Sequence, residues 1–127
     1  NGQIKHEQEV KNLVVTVGKN LIASRLKDTT DAAMTHMAIG SGTTAAANGD
    51  TALGTELGRV SLTSTTVTNN NVAYVATFPA GTGTGAVTEA GLFNASSAGT
   101  MLCRTVFSVI NKGAADTLGI TWTVTVN

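Results

Sequence analysis

The residues of this 127-residue chain that could do chemistry are few, and their spacing is poor for it. The most suggestive run is Gly40-Ser41-Gly42-Thr43-Thr44-Ala45, which matches the loose G-x-G-x-x-G/A pattern of dinucleotide-binding loops and follows an expected strand. That mechanism needs a helix opening at the loop and an acid about 20 residues further on to hold the ribose. Here the run continues into Ala46-Ala47-Asn48-Gly49-Asp50, Glu56 comes too early, and the rest of the chain is not βαβ. A flexible turn is the better expectation. Nucleophilic catalysis wants a Cys or Ser beside a His and an acid. Only His6, in a polar N-terminal arm, and His36, between Thr35 and Met37, are available. Two His and the single Cys103, far apart in sequence, make a poor metal set. Glu56 and Glu89 would pair as glycosidase carboxylates only by coincidence, and a sugar site would bring more aromatics than one Trp, one Tyr and three Phe. The chain therefore reads as non-enzymatic, with no catalytic, cofactor or metal site.

The elements that must position these residues are mostly strands. Residues 1–12 are polar and without period, an arm or an irregular first strand. Leu13 to Val17 is a β-branched run, a strand by propensity, which Gly18 should break. Lys19 to Lys27 spaces Ile22 and Leu26 as i, i+4 partners, the spacing of one short amphipathic helix. Met34–Ile39 reads as a strand, 40–50 as a loop and 51–58 as ambiguous. Val60 opens a Thr-rich strand, Asn69–Asn71 a turn, and Val72, Tyr74, Ala76 and Phe78 alternate in the next strand. Further strands are expected over 86–94 and 100–110, with turns at 79–85, 95–99 and 111–116. Glu89 is expected at a sheet edge or paired with Arg104, and Gly91 at a bulge or a close backbone approach. In the last segment Leu118, Ile120, Trp122, Val124 and Val126 share one face and Thr117, Thr121, Thr123 and Thr125 the other, the alternation of a half-buried strand. Trp122 should be core. Short strands with turns at this spacing predict a mostly β, single-domain antiparallel β-sandwich, jelly-roll-like, with an N-terminal arm and one short helix.

Charge divides the chain. Eight basic and eight acidic residues cancel, but five of the bases and four of the acids fall within residues 1–31. Residues 32–127 carry only Arg59, Arg104, Lys112, Asp50, Glu56, Glu89 and Asp116. A body so poor in clustered Lys and Arg has no footprint for nucleic acid. No run of 18 apolar residues suggests a membrane span, and no secretory signal opens the sequence. Thr, at 22 residues, solvates strands without charge. Such a neutral body is expected to be covered by copies of itself, as a dimer or trimer, or by a partner. Cys103 can form no internal disulfide and is expected to be a small buried side chain. Two regions follow: 1–31, the arm, strand and helix, and 32–127, the β-sandwich body.

Three segments carry a resemblance: Met37 to Ala45, Thr88-Glu89-Ala90-Gly91-Leu92-Phe93-Asn94, and Arg104 to Lys112, followed by Asp116-Thr117-Leu118-Gly119-Ile120-Thr121-Trp122-Thr123-Val124-Thr125-Val126. In this order, over roughly residues 13–127, they resemble small virion structural proteins of tailed bacteriophages, of the capsid decoration or cement kind. The resemblance implies a virion role, a β-sandwich and no catalysis. The expected function is a cement protein made in the bacterial host cytoplasm, which sits on the outer surface of the capsid and stabilises contacts between major capsid protein subunits. A tail, baseplate or fibre attachment module is the alternative, and a carbohydrate-binding domain a remote one. The charged N-terminal region is the expected partner-facing part, with Lys5, His6, Lys11, Arg25 and Lys27 as its candidate contact residues.

Overall fold

The computed structural model describes residues 12–27 and 31–126. Its elements in chain order are β1 (Leu13–Val14), α1 (Thr16–Leu26), β2 (His36–Gly40), β3 (Glu56–Ser61), β4 (Ser64–Thr68), β5 (Asn71–Phe78), β6 (Gly85–Phe93), β7 (Met101–Lys112) and β8 (Leu118–Thr125). They form two antiparallel sheets, one of five strands in the order β1-β7-β6-β2-β3 and one of three in the order β4-β5-β8. The protein is mostly β with a single short helix among the described residues, as expected for a β-sandwich.

The alternation of β8 places its even positions against the core. Trp122 and Val124 are buried, Leu118 and Ile120 half-buried, while Gly119, Thr121, Thr123 and Thr125 are exposed. Val126 departs from the expectation: it lies just past β8 and is 59% exposed. Opposite β8 on β5, Tyr74, Ala76 and Phe78 point the same way, and they meet Met37 and Ile39 of β2 and Val87, Ala90 and Leu92 of β6 in one core cluster between the sheets. Cys103 joins that cluster, fully buried, and burial pushes its thiol pKa up, so it is an inert core side chain.

The larger sheet is also covered on its other face. Ala38, Phe93 and Met101 pack there with Leu53, from the loop 41–55, and with Val15. A sheet buried on both sides needs no polar alternation, which is why β6 reads as an unbroken buried run from Val87 to Phe93. Glu89 lies in that run, and β6 is flanked by β7 and β2, so Glu89 is not at a sheet edge.

Two other expectations need correction. The run Leu13–Val17 is not one strand. Only Leu13 and Val14 pair with β7, and the helix begins at Thr16, with Gly18 inside it rather than breaking the chain. Gly18 is buried in α1 because a Cβ there would collide with the main chain of Leu102 on β7. Thr16, Val17 and Gly18 are poor helix formers. Tertiary contact outweighs their propensity, helped by the main-chain carbonyl of Asn48, which accepts from the N–H of Thr16 at 2.8 Å. Second, the Thr-rich segment opening at Val60 is two strands in different sheets. Val60 belongs to β3, and the chain crosses at Leu62 and Thr63 to begin β4.

Candidate functional site

Three charged side chains of the body, Glu89, Arg104 and Asp50, converge on the loop-covered face of the larger sheet. The Glu89 carboxylate, with no exposed surface, accepts hydrogen bonds from the N–H of Gly42 (2.7 Å), Gly54 (2.8 Å) and Thr55 (2.8 Å) and from Nε of Arg104 (3.0 Å). Arg104, also buried, donates onward to Asp50 Oδ2 (3.0 Å) and to the Thr44 carbonyl (2.9 Å). The Thr88 hydroxyl completes the set by donating to the Gly42 carbonyl at 2.8 Å. Burial by itself would raise the Glu89 pKa. The N–H groups of Thr55, Gly54 and Gly42 and the Arg104 side chain outweigh it and hold the carboxyl below its ordinary value. Glu89 is thus an ionised carboxylate whose oxygens are occupied by the protein itself.

This clasp explains the glycine-rich run. A Cβ at Gly42 would lie 2.5 Å from Glu89 Oε2, and one at Gly40 would collide with the main-chain oxygen of Thr55 and meet the same carboxylate oxygen at 2.6 Å. The glycines admit a carboxylate from the protein's own sheet, where a dinucleotide loop would admit a phosphate. Gly91 likewise marks a close approach, with Leu53 and Phe93 each 3.1 Å from where its Cβ would be. The register shifts in β6 lie elsewhere, at Val87/Glu89 and Leu92/Phe93. The expected Glu89–Arg104 pair is present. Its role in holding the 41–55 loop is invisible to sequence reasoning, since the bonded groups are 34 to 47 residues from Glu89 in the chain.

Two more cations serve as internal ties. Arg59 pairs with Glu56 (2.7 Å), donates to the carbonyls of Ala95 and Ala98, and stacks 3.8 Å from the centre of the Phe93 ring. Lys112, which sequence reading leaves in a turn, is buried, and its ammonium bonds the carbonyls of Pro79 (2.9 Å) and Asp116 (2.7 Å). His36 lies between the hydroxyls of Thr35 (2.8 Å) and Ser61 (3.3 Å). Among the described residues no three of His, Cys, Asp and Glu gather as metal ligands.

Among the described residues, the cations left facing outward, Lys19, Arg25 and Lys27, lie on α1 or at its C-terminal end. Of the expected contact residues, Lys5, His6 and Lys11 lie outside the described residues, whereas Arg25 and Lys27 are exposed at the C-terminal end of the helix. Arg25 donates to the main-chain carbonyl of Asp31 at 3.1 Å, and residues 16–27 contain no acid. Beside them runs a groove of about 360 Å³, whose apolar lining includes Leu21, Ile22, Met34 and Leu102, with Arg25 at its rim and Tyr74 in its wall. Tyr74 has its pKa raised by burial and then by the neighbouring Cys103, so its hydroxyl stays protonated. Leu26, at 85% exposed, stands next to this groove, so α1 is not the cleanly amphipathic helix its spacing predicts. No protein-family model matches the chain, and no curated protein matches it.

Proposed function

We propose that this chain is a non-enzymatic structural protein of a tailed-phage virion, and specifically a decoration or cement protein that binds the outside of the head and ties neighbouring major capsid protein subunits together. The observation that carries the reading is the contrast between internal and outward charge. Glu89, Arg104, Asp50, Arg59, Glu56 and Lys112 are engaged within the body. The exposed cations Arg25 and Lys27 lie at the C-terminal end of α1, a helix that carries no acid, beside a groove with apolar lining. Such a surface suits attachment to an acidic neighbour with an apolar anchor, in which steering and register come from charge and adhesion from burial. The resemblance of the clasp segments to those of small virion proteins supports the class. A cement protein needs only modest affinity per copy, since many copies act on one shell.

The test is attachment of the purified protein to heads lacking it. Arg25→Glu with Lys27→Glu should leave the circular dichroism and melting unchanged and reduce occupancy on heads by tenfold or more. Occupancy unchanged by the double variant would remove α1 as the contact. A reconstruction of the intact particle that put the chain at the tail would replace cement by the attachment-module reading.

A further inference from the structure

We infer that β8 is a pairing edge, and that two copies of this chain join their three-stranded sheets through it about a two-fold axis. The inference concerns the isolated chain and stands apart from where in a virion the protein would sit. β8 is the last strand of its sheet, and its ladder with β5 is regular from Asn71↔Thr125 to Phe78↔Leu118. The N–H of Val126 bonds the Asn70 carbonyl at 2.8 Å, one step beyond that ladder. Backbone groups of alternate residues in an antiparallel strand point to opposite sides. The even residues of β8 therefore bond to β5, and Gly119, Thr121, Thr123 and Thr125 present their N–H and C=O groups to the free edge.

Edges are normally blunted by brevity, charge, proline or a bulge. At one edge of the larger sheet, β3 carries the Glu56–Arg59 pair. β8 has no such device: it spans eight residues with no charge, no proline and no register shift. The opposite edge, β4, is also uncharged, but all five of its residues are exposed, so a strand added there would cover little core. A strand added to β8 continues the row of Ile120, Trp122 and Val124.

A second copy is the occupant that fits. Antiparallel pairing centred on Trp122 sets Thr121 against Thr123 of the second copy and Gly119 against its Thr125, all residues whose backbone groups have no partner strand among the described residues. On the inner face it sets Ile120 against Val124 and Leu118 against Val126. This gives the half-buried Leu118 and the 59%-exposed Val126 an apolar neighbour each. Thr–Thr and β-branched cross-strand pairs are favourable, and no like charges meet.

Sedimentation velocity of the whole chain over a concentration series, with amide hydrogen exchange on the same samples, tests this. The wild type should shift from monomer to dimer as concentration rises, and the amides of Thr121, Thr123 and Thr125 should slow by roughly tenfold or more. Thr123→Pro removes an N–H that β5 does not use, and Thr123→Lys places a charge opposite Thr121 of the second copy. Each should yield a monomer with wild-type circular dichroism. A wild type that stays monomeric throughout would overturn the proposal, as would a dimer whose Thr121 and Thr123 amides exchange freely. A monomer in which those amides are protected until residues 1–11 are deleted would identify the chain's own N-terminal segment as the occupant, and would overturn it equally.

Discussion

The two sheets solve the same problem by different chemistry. The five-stranded sheet holds all of the charged residues that lie in strands: Glu56, Arg59, Glu89, Arg104 and Lys112. Its outer face is closed by a loop that Glu89 and Arg104 fasten down. The three-stranded sheet has no charged residue in β4, β5 or β8 and is held by apolar burial on one face, with Thr and Ala toward solvent on the other. The difference shows what buried charge does here. Burial of a carboxylate and a guanidinium is costly, and apolar replacements often do as well for stability. What the pair adds is direction. Its acceptors and donors select one path for an irregular segment that apolar contact from Leu53 alone would leave underdetermined.

Variants can break this contrast in a definite order. The largest effect is expected in the small sheet. Trp122→Ala should cost about 3–5 kcal/mol, seen as a lower melting temperature at every pH, since no ionisable partner is involved. Glu89→Gln should cost about 3 kcal/mol at neutral pH, because it leaves Arg104 buried with only Asp50 as counter-charge, and denaturant titration would measure it. Its distinguishing sign is in acid. The folded pKa of Glu89 lies below the ordinary value of 4.5. Its contribution is complete above that value and is lost as pH falls through the folded pKa. The wild type should lose stability on acidification below about 4.5 more steeply than Glu89→Gln. Parallel acid limbs for the two proteins would show that the clasp does not carry the charge assigned to it. The smallest effect is expected where the helix meets the large sheet. Gly18→Ala gains helix propensity but drives a methyl into the Leu102 backbone, and should be destabilising by about 1–3 kcal/mol in thermal unfolding. A stabilised Gly18→Ala would mean that α1 sits farther from β7 than described.

How much of this was readable in advance depended on the range of the interaction. β8 was legible from its alternation because period-2 burial is a local property. The turn expected at Asn69–Asn71 was legible for the same reason: Asn69 takes a left-handed φ of 54°, although Asn71 already pairs in β5. The start of α1 was not, since Thr16 and Val17 continue the strand propensity of Val14 and Val15, and contact with Leu102 and Asn48 favours the helix from Thr16 on. The crossing at Leu62–Thr63 was hidden because the threonine-rich composition does not change where the chain switches sheets. At the clasp, chemistry was half visible. Pairing of Glu89 with Arg104 could be anticipated from two lone charges in apolar strands, but the reason for Gly42 lay in a carboxylate nearly fifty residues away, and that for Gly40 in the Thr55 main chain together with the same carboxylate. Arg25 and Lys27 were found by their charge, whereas the groove beside them required the fold.

The clasp also bears on engineering. The segment from Ser41 to Thr55 is irregular, exposed at many positions and rich in small residues, the usual profile of a site that accepts a guest peptide. Yet its main chain is fastened at Gly42, Thr44, Ala47, Asn48, Gly54 and Thr55, to the sheet, to the start of α1 or within itself. Inserted sequence would pull these anchors out of step with one another, and the strain would reach Glu89 at the centre of the sheet. For display or fusion, the longest irregular stretch of the described protein behaves as a structural strut and is the wrong place to cut.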